Sequence, residues 1–137
     1  HYFEGMAHCA HAIGGAQDFL AALSARGTLY AVTNGTKALQ RRRMASAGIA
    51  SYFADVFISE EVGCSKPGDG YVNYVLSHIP GFVRGNAVYV GDSLTSDMVC
   101  AQKMGVDFVL YRKERPEGYA GMWADSYRAV LSCIDAL

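Results

Sequence analysis

Two aspartates, Asp92 and Asp97, stand five residues apart in the run "GDSLTSD". Carboxylate oxygens are hard ligands, so a pair of them can hold a divalent cation. On a helix, five residues turn about 140° after wrapping, so the two could not share a face. They converge only if Asp92 closes a strand, "SLTS" turns, and Asp97 opens the next helix. Gly91 lets the backbone approach closely there, and the helix dipole favours a charge at Asp97. The plainer reading makes Asp97 a helix-start residue and Asp92 or Ser93 an N-cap. A second group, Thr33-Asn34-Gly35, offers a hydroxyl and successive backbone amides that could donate to phosphoryl oxygens. Its plainer reading is an Asn-Gly turn. The third is Lys66 in "CSKPGDG", kept extended by Pro67 and able to place a point positive charge beside a phosphate. Taken alone, a single lysine is ordinarily a surface residue.

These residues need elements to position them. Four runs, residues 29–33, 55–59, 87–91 and 107–111, are almost continuously apolar, as suits strands covered on both faces. Helical patterns separate them. Phe19, Leu20 and Leu23 mark the first, before Gly27, and Leu39 and Met44 the second, before Gly48. Tyr71, Val72, Val75, Leu76 and Ile79 form the stripe of a third, and the helix after "GDS" runs to Gly105. A short closing helix is expected from about Ser126, with Trp123 as a packing residue. The alternation predicts an α/β fold, a Rossmann-like parallel sheet with flanking helices. In such folds ligands gather at the carboxyl ends of the strands, and here those ends read Thr33-Asn34-Gly35, Ser59-Glu60 and Gly91-Asp92-Ser93, with Lys66 in the loop after the second.

The chain has 137 residues, one domain by length, with 12 basic and 13 acidic residues. That balance does not fit a nucleic-acid polymer as partner. The basic run "QRRRM" reads as a solvated helix face. The four cysteines lack zinc-ligand spacing and read as buried thiols of a reducing compartment. No apolar run is long enough to span a membrane, and the expectation is a cytoplasmic protein. "HYFEGM" faintly resembles a tag remnant and is kept as native sequence.

In order, T-N-G, K-P and G-D-x-x-x-x-D resemble the haloacid dehalogenase-like (HAD) hydrolase superfamily over roughly Gly14 to Arg112. The wording "VTNG", "FISEEVGCSKP" and "VYVGDSLTSD" is closest to the branch hydrolysing pyrimidine nucleoside 5'-monophosphates. The resemblance implies that Thr33, Asn34 and Gly35 bind the phosphoryl group and that Lys66 neutralises it. It implies that Asp92 binds Mg²⁺ and that Asp97 supports that site directly or through water. A small phosphorylated substrate is implied. Phosphoryl transfer is chiefly positioning and charge neutralisation, which these parts suit. A reaction expelling halide has little use for a magnesium-binding carboxylate pair.

The same resemblance calls for an earlier strand ending in D-x-D, whose first aspartate is the nucleophile, and no D-x-D occurs in the chain. The expectation is therefore a HAD-type core missing its first strand and most of its cap, from truncation, proteolysis or a misplaced start. Residues 1–13 would be a remnant of a helical cap or hinge, with His8 and His11 as ordinary helix residues. Residues 14–137 would be the C-terminal part of the core, inactive alone. Loss of that strand would open a seam beside the TNG and GDS strands, which a homo-oligomer could fill. Two other functions fit the motifs: a non-catalytic phosphate-binding or regulatory module, and a sugar- or glycolate-phosphate phosphatase or phosphomutase.

Overall fold

Leu29–Thr33 and Ala87–Gly91 are buried at every position, as strands with both faces covered must be. The computed structural model describes residues 4–7, 16–82 and 84–137. In chain order the elements are β1 (Glu4–Ala7), α1 (Ala16–Ser24), β2 (Leu29–Thr33), α2 (Lys37–Ala47), β3 (Asp55–Ile58), α3 (Ser59–Val62) and α4 (Asp69–Ser77). Then follow β4 (Ala87–Gly91), α5 (Asp97–Met104), β5 (Asp107–Tyr111), β6 (Met122–Ala124) and α6 (Tyr127–Asp135). All neighbouring strands run parallel, in the order β3-β2-β1-β4-β5-β6.

Alternate residues of the central strands feed two cores. Leu29 and Ala31 of β2, with Val88 and Val90 of β4, pack with Phe19, Leu20 and Leu23 of α1 and Val130 and Ile134 of α6. Tyr30 and Val32 of β2 and Tyr89 of β4 pack instead with Tyr71, Val72 and Val75 of α4 and Cys100, Ala101 and Met104 of α5. This is the period-2 alternation of a strand sandwiched between helix layers. Helix ends follow their punctuation. Gly48 and Gly105 adopt the left-handed conformation after α2 and α5, and Ser126 caps α6 by accepting from Ala129 N–H.

The α/β parallel sheet is as expected, and four particulars differ. The expected seam is occupied: β1 pairs with β2 through Gly5, Met6 and Ala7 and with β4 through Glu4 to Ala7. Residues assigned to a cap remnant thus supply a central strand, because short "EGMA" can satisfy the inner backbone edges of both neighbours without a β-branched run of its own. A homo-oligomer through an open seam between β2 and β4 loses its premise. The remainder of residues 1–13, His8 and His11 included, lies outside the described residues. Second, Leu39 is exposed and Gln40 buried on α2, because the Gln40 amide is directed into the turn after β2. Third, among the cysteines described, Cys100 is buried but Cys64 is exposed and Cys133 half-buried. Trp123 sits in β6, a short strand absent from the sequence reading, and its Nε1 donates to Arg112 O at 3.1 Å.

Candidate functional site

β2, β3 and β4 all end on the same side of the parallel sheet, so the loops that follow them converge. After β2, Thr33 is buried and its N–H donates to the Tyr71 hydroxyl at 3.2 Å, while that hydroxyl donates to Phe57 O on β3. One phenol from α4 thereby fixes two neighbouring strand ends. The Asn34 carboxamide zips to the backbone of Lys66: Oδ1 accepts from its N–H at 2.8 Å and Nδ2 donates to its carbonyl at 3.3 Å. Gly35 has φ of 140°, its N–H donates to Ser59 Oγ at 2.9 Å, and Gln40 Nε2 donates to Asn34 O at 2.8 Å. The positive φ calls for glycine at position 35, and a Cβ there would fall 2.6 Å from Gln40 Nε2 and displace that amide.

The Lys66 side chain runs into the interior. Its ammonium donates to Val32 O at 3.3 Å and to Asp97 Oδ1 at 2.8 Å, with the two side chains only 2% and 1% exposed. Asp97 Oδ1 also accepts from the Tyr89 hydroxyl at 2.7 Å, and Oδ2 accepts from the N–H groups of Asp92 and Ser93, each at 3.2 Å. A carboxylate has about four lone-pair sites, and among the described residues two donors meet each oxygen. Gly91 makes the approach of Asp97 feasible, since a Cβ there would sit 2.5 Å from Asp97 Cβ. Asp92 itself is exposed, and its carboxylate has no protein partner among the described residues.

One continuous hydrogen-bonded chain therefore joins Asn34, Lys66, Asp97 and the Asp92 backbone. Thr33 and Gly35 stand at its β2 end. Asp97 is tied to its neighbours as a buried hub, whereas Asp92 offers an open carboxylate. Burial, then the charge of Asp97, pushes the Tyr89 phenol well above its ordinary range, and burial does the same to Tyr71. Burial, opposed by Lys66, pushes the neighbouring Cys100 thiol up to about 11. All three groups stay protonated at neutral pH, so Tyr89 is a donor to Asp97.

Sequence reasoning placed Tyr71 and Tyr89 among apolar residues, named Ser59 only as a strand end, and passed over Gln40 and Arg112. A tyrosine inside an apolar strand or stripe was the available signal, because a buried phenol needs a hydrogen-bond partner. Nothing local marked Arg112, whose Nε donates to Asp92 O at 2.7 Å, or Lys103, whose Nζ donates to Pro67 O at 2.8 Å. Both contacts exist only through the tertiary fold.

Comparison with known proteins adds relatives to this geometry. The family model described as haloacid dehalogenase-like hydrolase matches residues 2–111. Pyrimidine 5'-nucleotidase PynA of Streptococcus pneumoniae is 34% identical over 128 residues, covering 90% of this chain and 54% of that protein. Pyrimidine 5'-nucleotidase YjjG of Escherichia coli is 31% identical over 128 residues, covering 91% and 57% respectively. The crystal structure of the HAD-hydrolase YfnB of Bacillus subtilis, described as bound to magnesium, superposes with a TM-score of 0.81. That match is 31% identical and covers 90% of this chain and 56% of that one. The chain spans about half the length of these relatives.

Proposed function

The chain belongs to the haloacid dehalogenase-like hydrolases, and from that premise we propose that it forms the phosphate- and cation-binding core of a Mg²⁺-dependent phosphomonoester hydrolase acting on nucleoside 5'-monophosphates. The observation that carries the reading is the buried 2.8 Å pair of Lys66 and Asp97 beside the open carboxylate of Asp92. The Lys66 ammonium, held at the Asp97 carboxylate, can neutralise a phosphoryl oxygen. The Thr33 hydroxyl and the backbone N–H groups that follow can orient that group. The likeness to two pyrimidine 5'-nucleotidases over nine-tenths of the chain supports the substrate class.

The donor set suits magnesium. Mg²⁺ is commonly held by one or two carboxylates plus substrate phosphate and several waters, and Asp92 provides the first of these. Among the described residues no three His, Cys, Asp or Glu side chains are grouped to hold a metal by themselves. When bound, the ion would supply charge neutralisation at the phosphate. Asp97 acts behind Asp92, by holding the Asp92 and Ser93 amides and the Lys66 ammonium. Nucleophilic attack is assigned to a D-x-D motif that these 137 residues do not contain. Turnover is therefore assigned to a protein that also carries that motif.

The test is hydrolysis of nucleoside 5'-monophosphates with and without Mg²⁺, by the full-length product of the gene and by this chain. The full-length protein should turn over and need Mg²⁺. Asp92→Ala should lower kcat/KM roughly a hundredfold or more, the loss of about 3 kcal/mol of transition-state stabilisation. Absence of any Mg²⁺-dependent phosphomonoesterase activity in the full-length protein would refute the reading. Robust turnover by the 137-residue chain, abolished by Asp92→Ala, would refute the account of its nucleophile.

A further inference from the structure

Resting on that reading, we propose that Arg112 is a positioning residue for Asp92, a latch from the end of β5 that sets the direction of the cation-binding carboxylate. A side chain leaves its Cα in a direction fixed by the two flanking peptides. Both of these are held at Asp92 by charged groups. Its N–H donates to the Asp97 carboxylate at 3.2 Å, and its carbonyl accepts from the Arg112 guanidinium at 2.7 Å. Hydrogen bonds with an ionised partner are the stronger kind, so the peptides are clamped while the carboxylate stays open to ligands.

The latch is itself anchored. Arg112 N–H donates to Ala124 O at 3.0 Å and its carbonyl accepts from Trp123 Nε1 at 3.1 Å, both on β6. The ordered partner thus lies one strand further from the site than β5. The arginine reaches back across 20 residues of chain to a single carbonyl. Its charge by itself would act in the opposite sense, since a guanidinium beside a Mg²⁺ site repels the ion. The sign of the effect on Mg²⁺ therefore separates positioning from simple electrostatics.

The experiment compares Arg112→Gln and Arg112→Lys in the full-length protein, with Lys113→Gln as control, an exposed neighbouring cation. Two readouts are taken: amide hydrogen exchange over residues 91–96, and the Mg²⁺ concentration giving half-maximal phosphomonoesterase activity. Loss of a charge-assisted hydrogen bond should speed exchange at the Asp92 and Ser93 amides roughly tenfold or more, with α6 unchanged. Half-saturating Mg²⁺ should rise roughly tenfold, the ordinary cost of losing a residue that orients a metal ligand. Arg112→Lys should recover part of both effects, and Lys113→Gln neither.

Unchanged exchange over residues 91–96 in Arg112→Gln would overturn the proposal. So would a fall in half-saturating Mg²⁺, which would make Arg112 a repelling charge and no more. Should the full-length protein show no Mg²⁺-dependent activity, the proposed function fails. The exchange readout then still decides whether Arg112 holds the Asp92 loop.

Discussion

Among the described residues Asp97 accepts from four donors with its two oxygens, and one of them, the Lys66 ammonium, is equally buried. Removing one member of such a pair leaves the other as an uncompensated interior charge. Lys66→Met should therefore destabilise the chain by about 3–5 kcal/mol, read from urea unfolding midpoints. Lys66→Met combined with Asp97→Leu should recover part of that loss, because the stranded carboxylate goes as well. A double variant no more stable than the single would show that Asp97's bonds to Tyr89 and the loop amides outweigh its charge. Spacing read Asp97 as half of a metal-binding pair. Its carboxylate is buried while that of Asp92 is open, a distinction that depends on where Lys66, Tyr89 and the two loop amides lie.

At the scale of elements, local chemistry and tertiary packing can be separated. Ser126→Ala removes the N-cap of α6, far from the site, and should cost about 1 kcal/mol of stability. It should leave phosphate binding untouched, as calorimetry with inorganic phosphate would show. The four apolar strands, the glycine stops of α2 and α5 and the Ser126 cap were all legible, because each depends on residues within a few positions of itself. β1 and β6 were not. A short strand in a parallel sheet gains its stability from edges that partners present, and "EGMA" and "MWA" carry little intrinsic preference of their own. Leu39 and Gln40 exchanged their expected burial for a similar reason, since the acceptor drawing Gln40 inward is a carbonyl on the preceding loop.

For the whole molecule, the core on the α4 and α5 side contains two phenols and a thiol that resist ionisation. Cys100 loses its proton near 9 in an open chain and at about 11 when folded. A group whose pKa rises on folding stabilises below its unfolded value and loses that contribution as pH climbs through the folded one. Tyr71 and Tyr89 act in the same direction from 10 upward. Stability should therefore decline progressively above about pH 9, and Cys100→Ala should flatten the first part of that decline in urea unfolding at stepped pH. At neutral pH, Cys64 should react with a thiol reagent while Cys100 stays protected. On the opposite face, Arg26 bridges Asp135 at 2.7 and 2.8 Å and ties the turn after α1 to the last turn of α6. That contact is exposed and contributes little to stability.

What the sequence determined by itself was the set of parts: apolar runs of strand length, helices with their stops, and three polar groups each following a strand. Those follow from side-chain chemistry and short spacings, which survive without a fold. The tertiary structure alone decided which of those parts are buried and which stay open. Asp97 became a buried hub bonded to Lys66 and Tyr89, Asp92 an open carboxylate whose carbonyl accepts from Arg112, and Tyr71 the tie between the ends of β2 and β3. Burial and hydrogen-bond saturation are properties of a neighbourhood, and this one is assembled from residues 33 to 112, which meet only when the parallel sheet brings its strand ends together.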